Sequence, residues 1–337
     1  MTEKPNTITV VKREDVQFFV GIFKIMNDNM FTLLREANIP GDIYDHKSEY
    51  QYLPETTVNN LVKILGSRTT KEDFGLLMWS ACKEVYVPKF VAKLTKTETL
   101  KSALDQFGEQ LQDVSSGANI YTQYRRGRWW LVRDKSPTDE PWFKYAELFS
   151  VIFINELLKS LTAGKWWPVN VGIQYHDAKD YQALPELSQA QFYVGRPVTA
   201  FSISDDLINS PVMLSSVPKV SELGRSSVLD KTFLSTFKLA IKPYLSMGKL
   251  PIKLAAEVLN IHVRTIQRRL DKEGTTYSKL VENICLEQTL DLLSERNLSI
   301  TLIASKMGYS DSAHFTRAFK RQMQMTPRQY RRMVTTS

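Results

Sequence analysis

The feature that most constrains this chain is a pattern that occurs twice near its C-terminal end. Residues 253–270 read KLAAEVLNIHVRTIQRRL, and residues 301–319 read TLIASKMGYSDSAHFTRAF. When Ala256 is aligned with Ala304, Asn260 falls opposite Gly308. A small residue allows two helices to cross closely, and Asn or Gly accepts the left-handed backbone of a tight turn. Each copy is therefore predicted to be a helix-turn-helix, over about 251–272 and 299–322.

The second helix of each copy is predicted to have one apolar face and one polar, largely basic face. Ile266 and Leu270 form the apolar face in the first copy, and Phe315 and Phe319 form it in the second. The predicted outward residues are Arg264, Gln267, Arg268 and Arg269, then Ser312, Thr316, Arg317, Lys320 and Arg321. Arg and Gln can bond base edges in the DNA major groove, and Ser or Thr can meet bases or phosphates. Ser310 is predicted to cap the second of these helices.

The division of charge favours a polyanionic partner for the same region. From Leu229 onward the sequence holds 18 Lys and Arg against 9 Asp and Glu, whereas the preceding residues hold 26 against 27. All the excess positive charge therefore lies in the last third of the chain. Two ordinary helical hairpins with solvated basic faces are the alternative. The repetition of the basic face at a fixed separation favours nucleic-acid binding.

Longer motifs in this region resemble a known family. The segment GYSDSAHFTRAFKR at 308–321, with TPRQYR at 326–331, is similar to the signature of the AraC/XylS transcription regulators. RTIQRRL at 264–270 and EGTTY at 273–277 match that family's first recognition helix. The resemblance covers about residues 230–333 and implies seven helices, with a long helix near Tyr277–Ser294 holding two recognition helices in successive major grooves.

The resemblance also assigns roles to particular residues. It places Arg264, Gln267 and Arg268, and likewise Ser312, Thr316 and Arg317, at base-contacting positions, and it makes Thr326-Pro327 the start of the final helix. The sequence departs from the family at three positions. His262 stands where a Ser N-cap is usual, and Cys285 and Thr289 replace the usual Arg and Ala of the linking helix.

The residues before the basic region predict a mixed α+β domain. The predicted helices are Val16–Leu34, Thr56–Leu65, Lys71–Ala81, Thr97–Asp113 with Thr97 as N-cap, and Trp142–Leu161. The predicted strands lie within Ala118–Val132, Val169–Tyr175 and Val198–Ile203. The expected organisation is an α+β effector or dimerisation domain over 1–214 and a linker over 215–228. An all-α DNA-binding domain then follows over 229–337, with its two helix-turn-helix units joined by a long helix.

The first domain more loosely resembles the arabinose-binding type of effector domain, through FGLL at 74–77, TLKSAL at 99–104, the Trp142–Leu161 helix and PVNVGIQYH at 168–176. That resemblance implies effector binding, dimerisation or both. Candidate effector-binding residues are Trp79, Tyr86, Phe90, Arg126, Trp129 and Trp142. The sequence leaves two questions open. The aromatic residues can be core instead of pocket, and the Trp142–Leu161 helix can be buried centrally or form a dimer interface.

Other function classes find little support in the sequence. The two cysteines and four histidines have no zinc-ligand spacing, and the catalytic or phosphate-binding motifs of common enzymes do not occur. We therefore expect no catalytic residues, no metal and no cofactor. The N-terminal residues lack the pattern of a signal peptide, and the most apolar stretch, Leu148–Ile154, is too short for a membrane span, so we expect a cytoplasmic protein associated with the nucleoid.

The leading hypothesis is a transcription activator that binds promoter DNA as a homodimer, responds to a small-molecule effector and contacts RNA polymerase. The alternative keeps DNA binding and makes the first domain a dimerisation or protein-interaction module without a ligand.

Overall fold

The computed structural model of the chain describes residues 8–25, 29–46, 48, 50–95, 97–117, 119–135, 139–212, 230, 232–245, 250–295 and 297–336. The predicted linker, 215–228, lies outside these residues. The chain divides into two compact units. The N-terminal unit comprises Val11–Tyr44 and Thr57–Leu229, and the C-terminal unit comprises Asp230–Ser337 together with Met1–Val10 and Asp45–Thr56. Two short stretches of the predicted first domain thus belong to the C-terminal unit.

The first part of the chain contains the following elements, in order. The strands are β1 (Val10–Lys12), β2 (Tyr52–Pro54), β3 (Asn119–Arg125), β4 (Arg128–Asp134), β5 (Asn170–Gly172), β6 (Gln191–Tyr193) and β7 (Thr199–Ile203). The helices are α1 (Arg13–Ile25), α2 (Met30–Glu36), α3 (Glu55–Arg68), α4 (Lys71–Ala81), α5 (Val87–Val91), α6 (Leu100–Val114), α7 (Phe143–Leu161), α8 (Lys179–Gln182) and α9 (Asp205–Ile208). A π-helical turn, Cys82–Tyr86, joins α4 to α5.

The five-stranded sheet of the N-terminal unit has the order β3-β4-β7-β5-β6 and is antiparallel except between β5 and β6. The region predicted as one run of strand folds as the β3–β4 hairpin. Its turn is made by Arg126 and Gly127, whose φ angles are +53° and +77°. Positive φ at both central residues of a two-residue loop matches the twist of the strands on either side. Helix α6 packs against β3.

Helix α7 is buried in the centre of this unit. Its buried residues include the carboxylate of Glu147, which accepts bonds from the backbone N–H groups of Gln174 (2.7 Å) and Tyr175 (2.9 Å) and from the hydroxyl of Thr199 (2.6 Å). A buried carboxylate is tolerated where donors surround it. Of the two alternatives for this helix, central burial is therefore the correct one.

Two helix boundaries differ from the predictions for a local reason. The predicted helix Val16–Leu34 is two helices. The second, α2, begins at Met30 after the N-cap Asn29, whose side chain accepts bonds from the N–H groups of Phe31 (3.1 Å) and Thr32 (3.3 Å). Helix α6 is capped by Thr99, not Thr97, through a reciprocal pair of bonds with Ser102. In both cases a capping side chain supplies acceptors to the first free N–H groups of the helix.

The described residues from Phe233 onward form helices and the turns between them, so the predicted order of an α+β part followed by an all-α part is confirmed. Its helices are α10 (Phe233–Ile241), α11 (Ile252–Leu259), α12 (Val263–Lys272), α13 (Tyr277–Ser294), α14 (Ile300–Lys306), α15 (Ser312–Met323) and α16 (Pro327–Thr336). The long linking helix has the bounds that the sequence predicts. Across the described ranges, none of the helices combines the length and apolar character needed to cross a bilayer.

Candidate nucleic-acid interface

The first helix-turn-helix is formed by α11 and α12. Helix α11 ends at Asn260, which has the left-handed backbone (φ 50°, ψ 45°) predicted for it. The N–H of Asn260 donates to the carbonyl of Glu257 (3.1 Å), and the N–H of Ile261 donates to that of Ala256 (3.0 Å). His262 stands at the N-cap of α12, but its side chain makes no capping hydrogen bond. The turn is thus fixed from the α11 side.

The second helix-turn-helix, α14 and α15, repeats this backbone arrangement. Gly308 has φ +75°, and the N–H of Tyr309 donates to the carbonyl of Ala304 (2.9 Å). This bond occupies the same place in the repeat as the bond from Ile261 to Ala256. The predicted pairing of Asn260 with Gly308 is therefore confirmed as a shared turn geometry.

Helix α12 exposes three of its four predicted contact residues. Ile266 and Leu270 are fully buried, whereas Arg264, Gln267 and Arg268 are exposed on the opposite side. The ion pairs among the described residues leave the guanidinium groups of Arg264 and Arg268 unpaired. These side chains are free to bond an external acceptor.

Arg269 differs from the other three. It is half-buried, and its guanidinium carbon lies 5.0 Å from the centre of the Phe233 ring on α10. A cation over an aromatic face is attracted by the ring. Arg269 therefore joins α12 to α10, and the prediction that it contacts DNA stays untested.

Helix α15 buries Phe315 and Phe319 in a core that includes Leu293, Ile303 and Met307. Its basic residues Arg317, Lys320 and Arg321 are exposed, while Ser312 and Thr316 are half-buried. The hydroxyl of Thr316 donates to the carbonyl of Ser312 (2.7 Å), so this hydroxyl can only accept a bond from outside the helix. The outer face of α15 therefore carries three exposed cationic side chains, whereas its two hydroxyl residues are partly covered.

The N-terminus of α15 is capped by Asp311, so the prediction of Ser310 as the cap is wrong. The Asp311 carboxylate accepts a hydrogen bond of 2.6 Å from the backbone N–H of His314. That bond, assisted by the nearby Arg317, lowers the pKa of Asp311. Asp and Ser are both good caps, and the sequence Ser-Asp-Ser at 310–312 did not separate them.

Together, the linking helix α13 and the final helix α16 contact helices of both helix-turn-helix copies. The hydroxyl of Thr289, on α13, donates to the carbonyl of Cys285 (2.7 Å), and burial raises the pKa of the Cys285 thiol to about 11. Helix α16 packs on α13, and Arg331 donates to the carbonyl of Leu293 (3.0 Å). Thr326 forms a reciprocal cap with Gln329, which confirms the predicted start of α16. Cys285 and Thr289, the two residues of α13 that differ from the usual family residues, are thus involved in packing and helix hydrogen bonding.

The six candidate effector residues of the N-terminal unit are dispersed. Tyr86 and Phe90 are buried and in edge-to-face contact, with ring centres 5.1 Å apart, inside an aromatic cluster that includes Phe149 and Phe153. Burial raises the pKa of the Tyr86 hydroxyl, so this phenol is neutral at physiological pH. These two residues are placed as core side chains are.

The other four candidates lie on separate elements. Trp79 is half-buried on α4, and Arg126 is exposed at the tip of the β3–β4 hairpin. Trp129 contacts Tyr124 on the neighbouring strand (5.4 Å between ring centres), and Trp142 precedes α7 and contacts Phe143 (5.9 Å). Within the described residues, Tyr86 with Phe90 is the one pair of the six in ring contact.

Comparison with known proteins gives matches concentrated in the C-terminal part. A family described as "Helix-turn-helix domain" matches residues 255–333. The HTH-type transcriptional regulator VirS of Mycobacterium tuberculosis is 37% identical over 87 residues, which are 26% of each chain. The transcriptional activator RhrA of Rhizobium meliloti is 30% identical over 103 residues, 30% of this chain and 33% of that one. The chain thus matches only about a quarter to a third of the length of these curated relatives.

A solved structure covers more of the chain at lower similarity. The transcriptional regulator CdpR from Pseudomonas aeruginosa aligns with 89% of this chain and 96% of its own, with 16% identity and a TM-score of 0.39. The identification of residues 255–333 as a helix-turn-helix domain comes from the sequence matches and not from this structural alignment.

Proposed function

Because residues 255–333 form a helix-turn-helix domain of the AraC type, we propose that the chain is a DNA-binding transcription regulator whose helices α12 and α15 enter the major groove. The relatives that carry this domain are transcription regulators and not enzymes. The observation that carries the proposal is the repeated unit itself. Two helices, held by the same backbone turn, each bury an apolar face and expose a polar or basic one.

The two helices are proposed to contribute differently to binding. Arg264, Gln267 and Arg268 on α12 are exposed donors that suit direct contact with guanine and adenine edges. On α15, the exposed residues Arg317, Lys320 and Arg321 suit phosphate contacts, with Ser312 and Thr316 in supporting positions. Sequence preference is therefore expected to be stronger in the part of each site that α12 contacts.

The test starts from a duplex that the full chain selects from a random-sequence pool. Arg268→Ala is expected to weaken binding to this duplex by about 1–3 kcal/mol and to relax the preference at one base position. Arg317→Ala is expected to weaken binding to all duplexes alike and to reduce the salt dependence by about one counterion. Arg35→Ala, which removes an exposed arginine from the N-terminal unit, is the control. Unchanged affinity in both test variants would show that the assigned faces are wrong.

We further propose that the N-terminal unit makes this regulator respond to a small-molecule effector and form a homodimer in the cytoplasm, acting on RNA polymerase as an activator. The unit has its own core and a size that permits a ligand site. Native mass spectrometry of the purified full chain would reveal a retained ligand and the number of subunits. A shift of the thermal transition by candidate metabolites would support the effector.

The alternative is a regulator whose N-terminal unit only dimerises or binds protein. The observation that favours it is the burial of Tyr86 and Phe90 in an aromatic core, which removes two of the six candidate residues from solvent. A ligand-free dimer whose thermal transition no metabolite shifts would decide for this alternative.

A further inference from the structure

A short stretch from the first part of the sequence is built into the C-terminal unit. We call Tyr50–Thr56 the strap; it contains β2 and the first two residues of α3. Leu53 of the strap is fully buried, and β2 packs against α10. Tyr50 of the strap is also buried. Burial raises the pKa of the Tyr244 hydroxyl, and the nearby Tyr50 raises it further. The strap is thus an integral part of this unit's core.

One hydrogen bond joins the strap to the first helix-turn-helix. The hydroxyl of Thr56 donates to the backbone carbonyl of Val258 at 2.6 Å, across 202 positions of sequence. Val258 lies in the last turn of α11, where carbonyl groups lack donors from within the helix. The carbonyls of Ala256 and Glu257 receive their bonds from the turn that follows α11. Thr56 supplies the donor for the next carbonyl, so the strap completes the end of α11.

The strap is also linked to α12 through α10. It packs against α10, and α10 carries Phe233, over which the guanidinium of Arg269 lies. The strap therefore contacts two helices that touch α12: α11 through the Thr56 bond and α10 through packing. The chain on either side of Asp45–Thr56 belongs to the N-terminal unit.

We propose that the strap positions the first recognition helix for DNA, and that Thr56 is the positioning residue. This inference rests on the proposed function. Thr56 does not itself contact DNA; it fixes the end of α11, and thereby the turn from which α12 starts.

The experiment uses the full chain and three variants. Thr56→Val keeps the shape and removes the donor, and Thr56→Ser keeps the hydroxyl. Thr69→Val is the matched control, because the hydroxyl of Thr69, which follows α3, also donates to a carbonyl in the last turn of a helix, that of Leu65 in α3 (2.9 Å). Affinity is measured for the selected duplex and for duplexes with single base changes along it, and hydrogen exchange is measured on the free protein.

Thr56→Val is expected to weaken binding by about three- to tenfold, as the loss of one partly buried hydrogen bond would. The loss of base discrimination is expected only at the positions that α12 contacts, and the amides of α11 and the start of α12 are expected to exchange faster, while α14 and α15 keep their protection. Thr56→Ser and Thr69→Val are expected to behave as the unmodified chain.

Two results would overturn the inference. Discrimination and exchange unchanged in Thr56→Val would show that the bond does not position α12. Equal losses at both parts of the site, with equal acceleration of exchange in α14 and α15, would show a general structural role. If the unmodified chain selects no specific duplex, the proposed function fails instead, and the exchange comparison still decides whether the strap holds α11.

Discussion

Replacing Asn260 by Ala tests the turn on which the first helix-turn-helix depends. Asn260 has φ 50° and ψ 45°, and its N–H and that of Ile261 satisfy the carbonyls of Glu257 and Ala256. This left-handed backbone costs a residue with a Cβ about 1–2 kcal/mol. The cost is smaller for Asn, because its short polar side chain forms local hydrogen bonds. We therefore expect Asn260→Ala to lower the free energy of unfolding of the C-terminal unit by about 1 kcal/mol.

Asn260→Gly provides the matched comparison. Glycine relieves the steric cost at this backbone, but it adds about 0.4–1 kcal/mol of conformational entropy to the unfolded chain. These two effects nearly cancel, so this variant is expected to stay within about 0.5 kcal/mol of the unmodified chain. For a unit of roughly 130 residues, a loss of 1 kcal/mol lowers the melting temperature by about 3–5 °C.

The assay is thermal unfolding of the full chain, monitored by circular dichroism, which reports the helices of both units. Tryptophan fluorescence reports the N-terminal unit alone, so the remaining circular dichroism transition is that of the C-terminal unit. The sequence permits this, because all its tryptophans precede residue 168. An Ala variant as stable as the unmodified chain, or a Gly variant as weak as the Ala one, would refute the backbone argument.

Two further predictions concern the recognition helices. Arg269→Ala is expected to lower the melting temperature of the C-terminal unit, because it removes a cation–aromatic contact that contributes about 0.5–1 kcal/mol. The salt dependence of DNA binding is expected to stay unchanged. A weaker salt dependence at unchanged stability would instead show that Arg269 contacts a DNA phosphate. The pKa of Asp311 lies below its ordinary value of 3.8, so its cap stabilises the fold above that pH, and this contribution is lost as the pH falls through the lowered pKa. Asp311→Asn is expected to flatten the acid dependence of helix content as the pH falls below 3.8. Parallel acid titrations of the two proteins would contradict this prediction.

The helices that carry the candidate interface were largely predictable from the sequence, because the signals that define them are local. The positive-φ positions Asn260 and Gly308 and the apolar pairs on α12 and α15 lie within a few residues of the structure they specify. The bounds of α13 followed from the same short-range pattern. Where two good caps were adjacent, as at Ser310 and Asp311, the local signal was ambiguous, because either side chain can reach a free N–H.

The features that sequence reasoning missed depend on contacts between distant residues. Nothing near Arg269 indicates that Phe233 lies beneath it, so its charge alone suggested a DNA contact. The three-residue strands β2 and β6 are too short for alternation to mark them. Thr56 was predicted as the first residue of a helix, and its bond to Val258 has no signature in either segment. The aromatic residues of the N-terminal unit have the same composition whether they form a pocket or a core.

The separation of 202 positions between Thr56 and Val258 has a consequence for synthesis on the ribosome. At about 5–20 residues per second, the strap leaves the exit tunnel roughly 10–40 s before its partners do. During that interval the apolar side chain of Leu53 lacks its final neighbours on α10, and the nascent chain must keep it from other partners. The C-terminal unit can reach its complete form only after α10 and α11 have been synthesised, and a gene fragment that begins at Asp230 encodes this unit without two of its own parts.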